Sequence, residues 1–256
     1  MEKVKEVAFE VLKELQRREK AKSNFLDYIR YVRPNYEIES RRFDPNKIGY
    51  VELIANKLQE CVDGKIKRLI ISIPSQYGKS EQVSRLFPPY WLGQFPDDSI
   101  ILASYAASLS FELSRDARKV INSNEYRQLF GDLSTVDISG ELSNKDIVTL
   151  DKDKRSVQSW GLLNHNGGLF AAGVGGGILG HGARLAIIDD PIKGDKEARS
   201  EIIREENIHW YRGTLYSRLA PDAVVVILNT RWHTQDLNGW LLDVMEDGGE
   251  QWEYLK

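Results

Sequence analysis

Three short polar groups in this 256-residue chain each follow an apolar run. The first is Gly78-Lys79-Ser80, reached from Leu69-Ile70-Ile71-Ser72-Ile73 through the turn Pro74-Ser75-Gln76-Tyr77. A buried strand that delivers a tight turn and then a helix aims backbone N–H groups and a helix dipole at one place, which suits a phosphate chain. Pro74, Ser75, Gln76, Tyr77, Gly78, Lys79, Ser80 and Glu81 are therefore the candidate phosphate-binding stretch. Lys79 would reach the outer phosphates, and the Ser80 hydroxyl would hold Mg²⁺. One position departs from G-x-x-x-x-G-K-[ST]: Ile73 stands where the first glycine belongs.

The second group is Asp189-Asp190, after Leu185-Ala186-Ile187-Ile188 and before Pro191. Alone, such a pair reads as a helix-capping turn. Beside a phosphate loop it is the expected Mg²⁺ acid and its neighbour, because Ser80 and one carboxylate must share the ion. Asp189 is then the Mg²⁺ ligand, through water, since Mg²⁺ keeps most of its hydration shell. Asp190 would orient or deprotonate an attacking water. An aspartate here is one methylene shorter than the more general glutamate, so either the water sits nearer or Asp190 is structural. The third group, Asn229-Thr230, ends Ala223-Val224-Val225-Val226-Ile227-Leu228. It either senses the outermost phosphate or only turns the chain. Phosphoryl transfer also gains from an arginine aimed at the developing charge. Arg184 is the candidate, with Arg115, Arg118 and Arg231 as rivals.

The elements that must position these groups alternate strand and helix, which predicts a mostly parallel α/β sheet covered on both faces. Ligands in such sheets gather at the carboxyl ends of strands, where all three groups fall. The spacing predicts helices over 4–22, from a cap at Ser23 to Pro34, over 49–63, 80–92, 108–122 and 195–219, and from about Gln235. Strands are predicted over 69–73, 100–103, 185–188 and 223–228. The unit 100–122 separates the phosphate-loop strand from the acid strand along the chain, which fits NTPases that insert an extra strand between the two. Val4, Val7, Ala8, Val11, Leu12 and Leu15 predict an amphipathic first helix packed by that stripe. Polar residues 131–170 suggest a hairpin through 147–150 and 156–160. Gly175, Gly177 and Gly180 spell G-x-G-x-x-G, but they run into a strand rather than open a helix, so the dinucleotide reading is rejected in favour of a mobile loop.

Composition excludes several classes. The chain is 41% hydrophobic and 29% charged, ordinary globular material for one sizeable core. Its longest apolar runs are strand-sized, too short to span a bilayer as a helix, and no cleavable signal is present. A single cysteine, Cys61, allows no internal disulfide and suits a reducing cytosol. His165, His181, His209 and His233 lie far apart without cysteine partners, against a zinc site. A net charge of −3 means that any grip on nucleic acid must come from a local patch or a ring of copies.

In this order and spacing the motifs resemble the ATPase domain of the large terminase subunit of tailed bacteriophages. Pro74 through Ser80 resembles that family's phosphate loop, which tolerates loss of the first glycine. Ser104-Tyr105-Ala106-Ala107-Ser108-Leu109-Ser110 through Arg118 resembles its helix after the second strand. Ala172 through Gly182 with Ile187-Ile188-Asp189-Asp190-Pro191-Ile192-Lys193 resembles its glycine loop and Walker B pair, and Asn229-Thr230-Arg231-Trp232-His233 its coupling motif. Many relatives carry arginine where this chain has His181, which leaves Arg184 as the nearest substitute finger.

The resemblance implies a P-loop NTPase fold. It implies ATP and Mg²⁺ as cofactors, and ATP-driven translocation of double-stranded DNA by a homo-oligomeric ring docked on a portal protein, with a small terminase subunit as partner. The setting would be the cytoplasm of an infected host cell. On that reading residues 1–47 are a helical segment and linker packed on a core of 48–256, and a nuclease domain lies beyond 256. Two alternatives fit the motifs less fully: a P-loop kinase of a small metabolite, and a nucleotide-binding module without turnover.

Overall fold

The computed structural model describes residues 2–36, 48–74, 77–131 and 147–256. Helices α1 (Glu2–Ser23), α2 (Phe25–Val32) and α3 (Ile48–Val62) precede strand β1 (Arg68–Ser72). The chain after the candidate phosphate loop winds through a wide π-type turn (Glu81–Leu86) into α4 (Phe87–Gln94). Next come β2 (Ser99–Ser104), α5 (Ala107–Ile121) and α6 (Asn124–Leu129). The strands β3 (Leu150–Arg155), β4 (Ser159–Leu162), β5 (Gly168–Gly173) and β6 (Ala183–Asp189) follow. Short helices α7 (Asp195–Ala198) and α8 (Glu201–His209) lead to β7 (Leu219–Asn229), α9 (Leu237–Glu246) and β8 (Glu253–Leu255).

The eight strands form one sheet in the order β3-β4-β5-β2-β6-β7-β1-β8. All pairings are parallel except β3 with β4 and β4 with β5. Alternation along the central strands splits the core in two. Leu69, Ile71, Ile100, Leu102, Leu185, Ile187, Val224 and Val226 face a layer containing Phe25, Tyr28, Leu58, Phe87 and Leu113. Ile70, Ile101, Ala186, Ile188, Val225 and Ile227 face Trp210, Tyr211, Leu215 and Leu241. Strands buried on both faces need such continuous apolar runs, and this is why they stand out in the sequence.

The register brings the strand ends level: Ser72 pairs with Asn229, Asp189 with Leu228, and Ser104 with Asp189. An extra strand does lie between the phosphate-loop strand and the acid strand, but it is β7. The strand of the 100–122 unit, β2, sits on the far side of β6.

Four local expectations are corrected. Ser23 closes α1 and does not cap α2; Asn24 does, its Oδ1 accepting from the backbone N–H groups of Leu26 and Asp27. The long charged helix expected over 195–219 breaks into α7, α8, a π-type turn (Trp210–Leu215) and a 3₁₀ turn (Tyr216–Arg218). The hairpin begins at Leu150, so Ile147, Val148 and Thr149 precede its first strand. Among the described residues the α1 stripe does not pack: Val7 is 64% exposed and Leu12 59%, and the burial on this helix lies in its second half. The linker expected over 35–48 lies mostly outside the described residues. Among the described residues no helix is long and apolar enough to cross a membrane.

Candidate active site

Strand β1 ends in Ser72, and the chain crosses Ile73 and Pro74 into the candidate phosphate loop. Ser75 and Gln76 lie outside the described residues. Tyr77 sets its ring against Tyr50, centroids 5.7 Å apart. Gly78 has φ +70°, a left-handed conformation that glycine adopts without the Cβ penalty. Lys79 is 4% exposed, and its Nζ donates to Asp190 Oδ1 at 2.9 Å, Thr230 Oγ1 at 2.8 Å and the Ile73 carbonyl at 3.3 Å. One ammonium thus ties together the carboxyl ends of β1, β6 and β7.

Asp189 is almost fully buried. Its Oδ1 accepts from the Ser80 hydroxyl at 3.1 Å and its Oδ2 from the Ser84 hydroxyl at 2.6 Å. Burial pushes its carboxyl up to about 6. The Ser84 hydrogen bond opposes that rise, the Asp190 charge adds to it, and Ser80 and Lys79 oppose it. A buried carboxylate beside a hydroxyl is a donor set that fits Mg²⁺. Among the described residues no cluster of three or more His, Cys, Asp or Glu offers a metal site of another kind.

Asp190 is held through its backbone and one carboxylate oxygen. Its N–H donates to the Leu228 carbonyl at 2.8 Å and its own carbonyl accepts from Tyr105 N–H at 3.1 Å. Oδ1 takes the Thr230 backbone N–H at 2.9 Å besides Lys79. Its φ is +46°, unusual for a residue with a side chain.

Asn229 and Thr230 part company. Thr230 faces Lys79, whereas the Asn229 side chain enters a buried polar network. Its Oδ1 accepts from Ser72 Oγ at 3.0 Å and Asn238 Nδ2 at 2.6 Å, and its Nδ2 donates to Asp236 Oδ2 at 3.4 Å. Asp236 caps α9 by accepting from Gly239 N–H at 2.9 Å, and Arg231 ion-pairs with it at 3.0 Å. Burial raises the Asp236 carboxyl above its usual range, against the Gly239 N–H and the Arg231 charge. Arg231 also donates to the Thr234 carbonyl at 3.0 Å.

The remaining candidates sit apart. Glu81 pairs with Arg33 at 3.4 Å and Arg85 at 3.6 Å. Arg184 is the second residue of β6, at the opposite end of the strand from Asp189, half-exposed and 3.9 Å from Asp98. Arg115 is exposed on α5, and Arg118 donates to the Ser156 carbonyl at 3.2 Å. His181 stacks on Phe170 at 3.7 Å. The glycine loop joins β5 to β6, but it is anchored, with Ile178 fully buried and the Gly176 carbonyl accepting from Trp210 Nε1 at 3.2 Å. Sequence reasoning missed Ser84, Ser72, Asp236, Asn238 and Tyr36. Of these only Ser84 carried a signal, its i, i+4 spacing from Ser80.

Residues 70–256 match the family model for the N-terminal region of the terminase large subunit, T4likevirus-type. The chain belongs to this family. Among solved structures it is similar to the HK97 bacteriophage large terminase, at 15% identity and TM-score 0.50, over 78% of this chain and 37% of that one. It is also similar to a large terminase from a thermophilic bacteriophage in complex with ADP, at 9% identity and TM-score 0.41, over 75% of this chain and 40% of that one. A third is the Phi-28 gp11 DNA packaging motor, at 10% identity and TM-score 0.42, over 77% and 59%. The chain therefore spans between about a third and three-fifths of the length of these large terminases and packaging motors. No curated protein matches it.

Proposed function

We propose that this terminase domain hydrolyses ATP and that hydrolysis drives double-stranded DNA into a procapsid. The observation that carries the reading is the convergence on Lys79: the phosphate-loop lysine, the acid after β6 and the threonine after β7 share one set of hydrogen bonds. Incoming phosphate oxygens would replace Asp190 and Thr230 as partners of Lys79. Asp190 would then orient the attacking water and take its proton, while Thr230 registers the outermost phosphate. Ser80 and Asp189 would hold Mg²⁺, which when bound offsets charge on the phosphates. Arg184 would serve a neighbour's site, since it cannot reach its own.

On this reading the working motor would be a homo-oligomeric ring docked on a portal protein, with a small terminase subunit as partner, in the cytoplasm of an infected host cell. Residues 1–47 would belong with the motor core, and the nuclease domain would follow 256. Phosphate release from ATP and Mg²⁺ with no other acceptor tests the reaction. Turnover that disappears in Lys79→Ala is the expected result. A requirement for a second acceptor would turn the reading toward a kinase.

A further inference from the structure

We propose that Tyr36, on the turn that follows α2, is a positioning residue that fixes the phosphate loop from outside. The proposal rests on reading Gly78-Lys79-Ser80 as a phosphate site. Tyr36 is 8% exposed, and its hydroxyl donates to the Gly78 carbonyl at 3.3 Å. The same carbonyl accepts the first helical bond, from Gln82 N–H at 3.2 Å. A peptide unit is planar and trans, so the oxygen of Gly78 and the N–H of Lys79 lie on one rigid plate and point opposite ways. Pinning the oxygen outward with two donors therefore aims the Lys79 N–H inward, where a phosphate would sit.

Two further observations tie the same segment to the loop. A Cβ on Gly78 would stand 2.7 Å from the Tyr36 hydroxyl, so the ring closes over the one position whose φ already favours glycine. Arg33, three residues before Tyr36, pairs with Glu81 in the first turn after Ser80. The support beneath the clamp is firm. Phe25, Tyr28 and Ile29 of α2 are fully buried in the larger core, and the Tyr36 N–H closes its turn on the Arg33 carbonyl at 2.9 Å. A helix outside the sheet thus sets the shape of the loop that must supply amide donors. No sequence pattern announces it.

The test is ADP affinity with Mg²⁺, measured by titration calorimetry on the full chain, beside the melting temperature of the nucleotide-free protein. Tyr36→Phe keeps the ring and removes only the hydroxyl. It is expected to bind ADP about 2- to 10-fold more weakly, the worth of one hydrogen bond, with melting lowered no more than in the Tyr31 control that follows. Tyr31→Phe is the structural control. The Tyr31 hydroxyl bonds Glu14 at 2.6 Å and Gln128 at 2.8 Å, away from the loop, so this variant should shift melting and leave ADP affinity alone. Lys79→Ala should lose most of the affinity. If Tyr36→Phe binds like wild type while Lys79→Ala does not, the clamp is overturned and the phosphate site stands. If wild type and Lys79→Ala bind ADP alike, the phosphate site itself falls and the clamp with it.

Discussion

Asp190 is short because of the backbone that carries it. At φ +46° a side chain crowds its own carbonyl, and Asp and Asn tolerate that region better than longer residues. Its carboxylate already lies 2.9 Å from both Lys79 Nζ and Thr230 N–H, so an added methylene would overshoot both. Asp190→Asn should keep the fold, because an amide oxygen can still accept both bonds, and should cut phosphate release about 10²- to 10⁴-fold. Asp190→Glu should also melt lower. Wild-type turnover in the Asn variant would remove Asp190 from the reaction. Ser84 makes a second case. It holds the Asp189 oxygen that Ser80 does not touch, and partners behind a metal ligand commonly tune affinity by about 10- to 100-fold. Ser84→Ala should therefore raise the Mg²⁺ concentration for half-maximal phosphate release by about tenfold, with the plateau rate little changed. An unchanged Mg²⁺ titration would reduce Ser84 to packing. The acids were legible because an apolar run stops on them; the left-handed turn at Asp190 was not, since it is imposed by β2 and β7 on either side.

The elements that hold these residues were readable one at a time but not in their arrangement. Each buried strand is an apolar run, yet nothing local says that β7, last of the central strands along the chain, inserts between β1 and β6. That insertion brings Thr230 onto Lys79 and sends Asn229 into the network beneath α9. Helix α9 is consequently tied to two strand ends through Ser72, Asn229, Asn238 and Asp236. The tie contains a strained charge. Burial raises the Asp236 carboxyl in the folded chain, so its contribution favours folding below the unfolded value of about 3.9 and is lost as pH rises through the folded value. Asp236→Asn keeps a good N-cap and removes the titration. The melting temperature of the variant relative to wild type should therefore improve between pH ~3.5 and pH ~7. A difference independent of pH would mean that Arg231 neutralises Asp236 completely. Helix α1 illustrates the other limit of the sequence: period reveals an apolar face, but only tertiary contacts reveal whether anything covers it. Val7, Val11 and Leu12 are each more than half exposed.

For the molecule as a whole, the position of Arg184 decides what one copy can do alone. It is the second residue of β6 while Asp189 is the last, a separation of about 17 Å at ~3.3 Å per residue, along a strand buried in the middle of the sheet. No rotamer of a single side chain spans that distance, so an Arg184 that assists phosphoryl transfer must act in another copy's site. Its half-exposed side chain and loose 3.9 Å contact with Asp98 leave it available at the amino end of the sheet. A ring of copies would bring that end of one subunit toward the carboxyl-end site of the next. This geometry makes complementation a direct measurement. Lys79→Ala keeps its arginine and lacks a working phosphate site; Arg184→Ala keeps the site and lacks the arginine. Each alone should release phosphate far below wild type, by about 10³-fold or more for loss of a finger. Mixed under conditions where wild type assembles, some interfaces pair an intact site with an intact arginine, and a fraction of the activity should return with a dependence on mixing ratio. A mixture as inactive as its parents would exclude Arg184 as the finger. Full activity in Arg184→Ala alone would do so more simply, leaving Arg115 and Arg118 to be tested by the same pairing with Lys79→Ala.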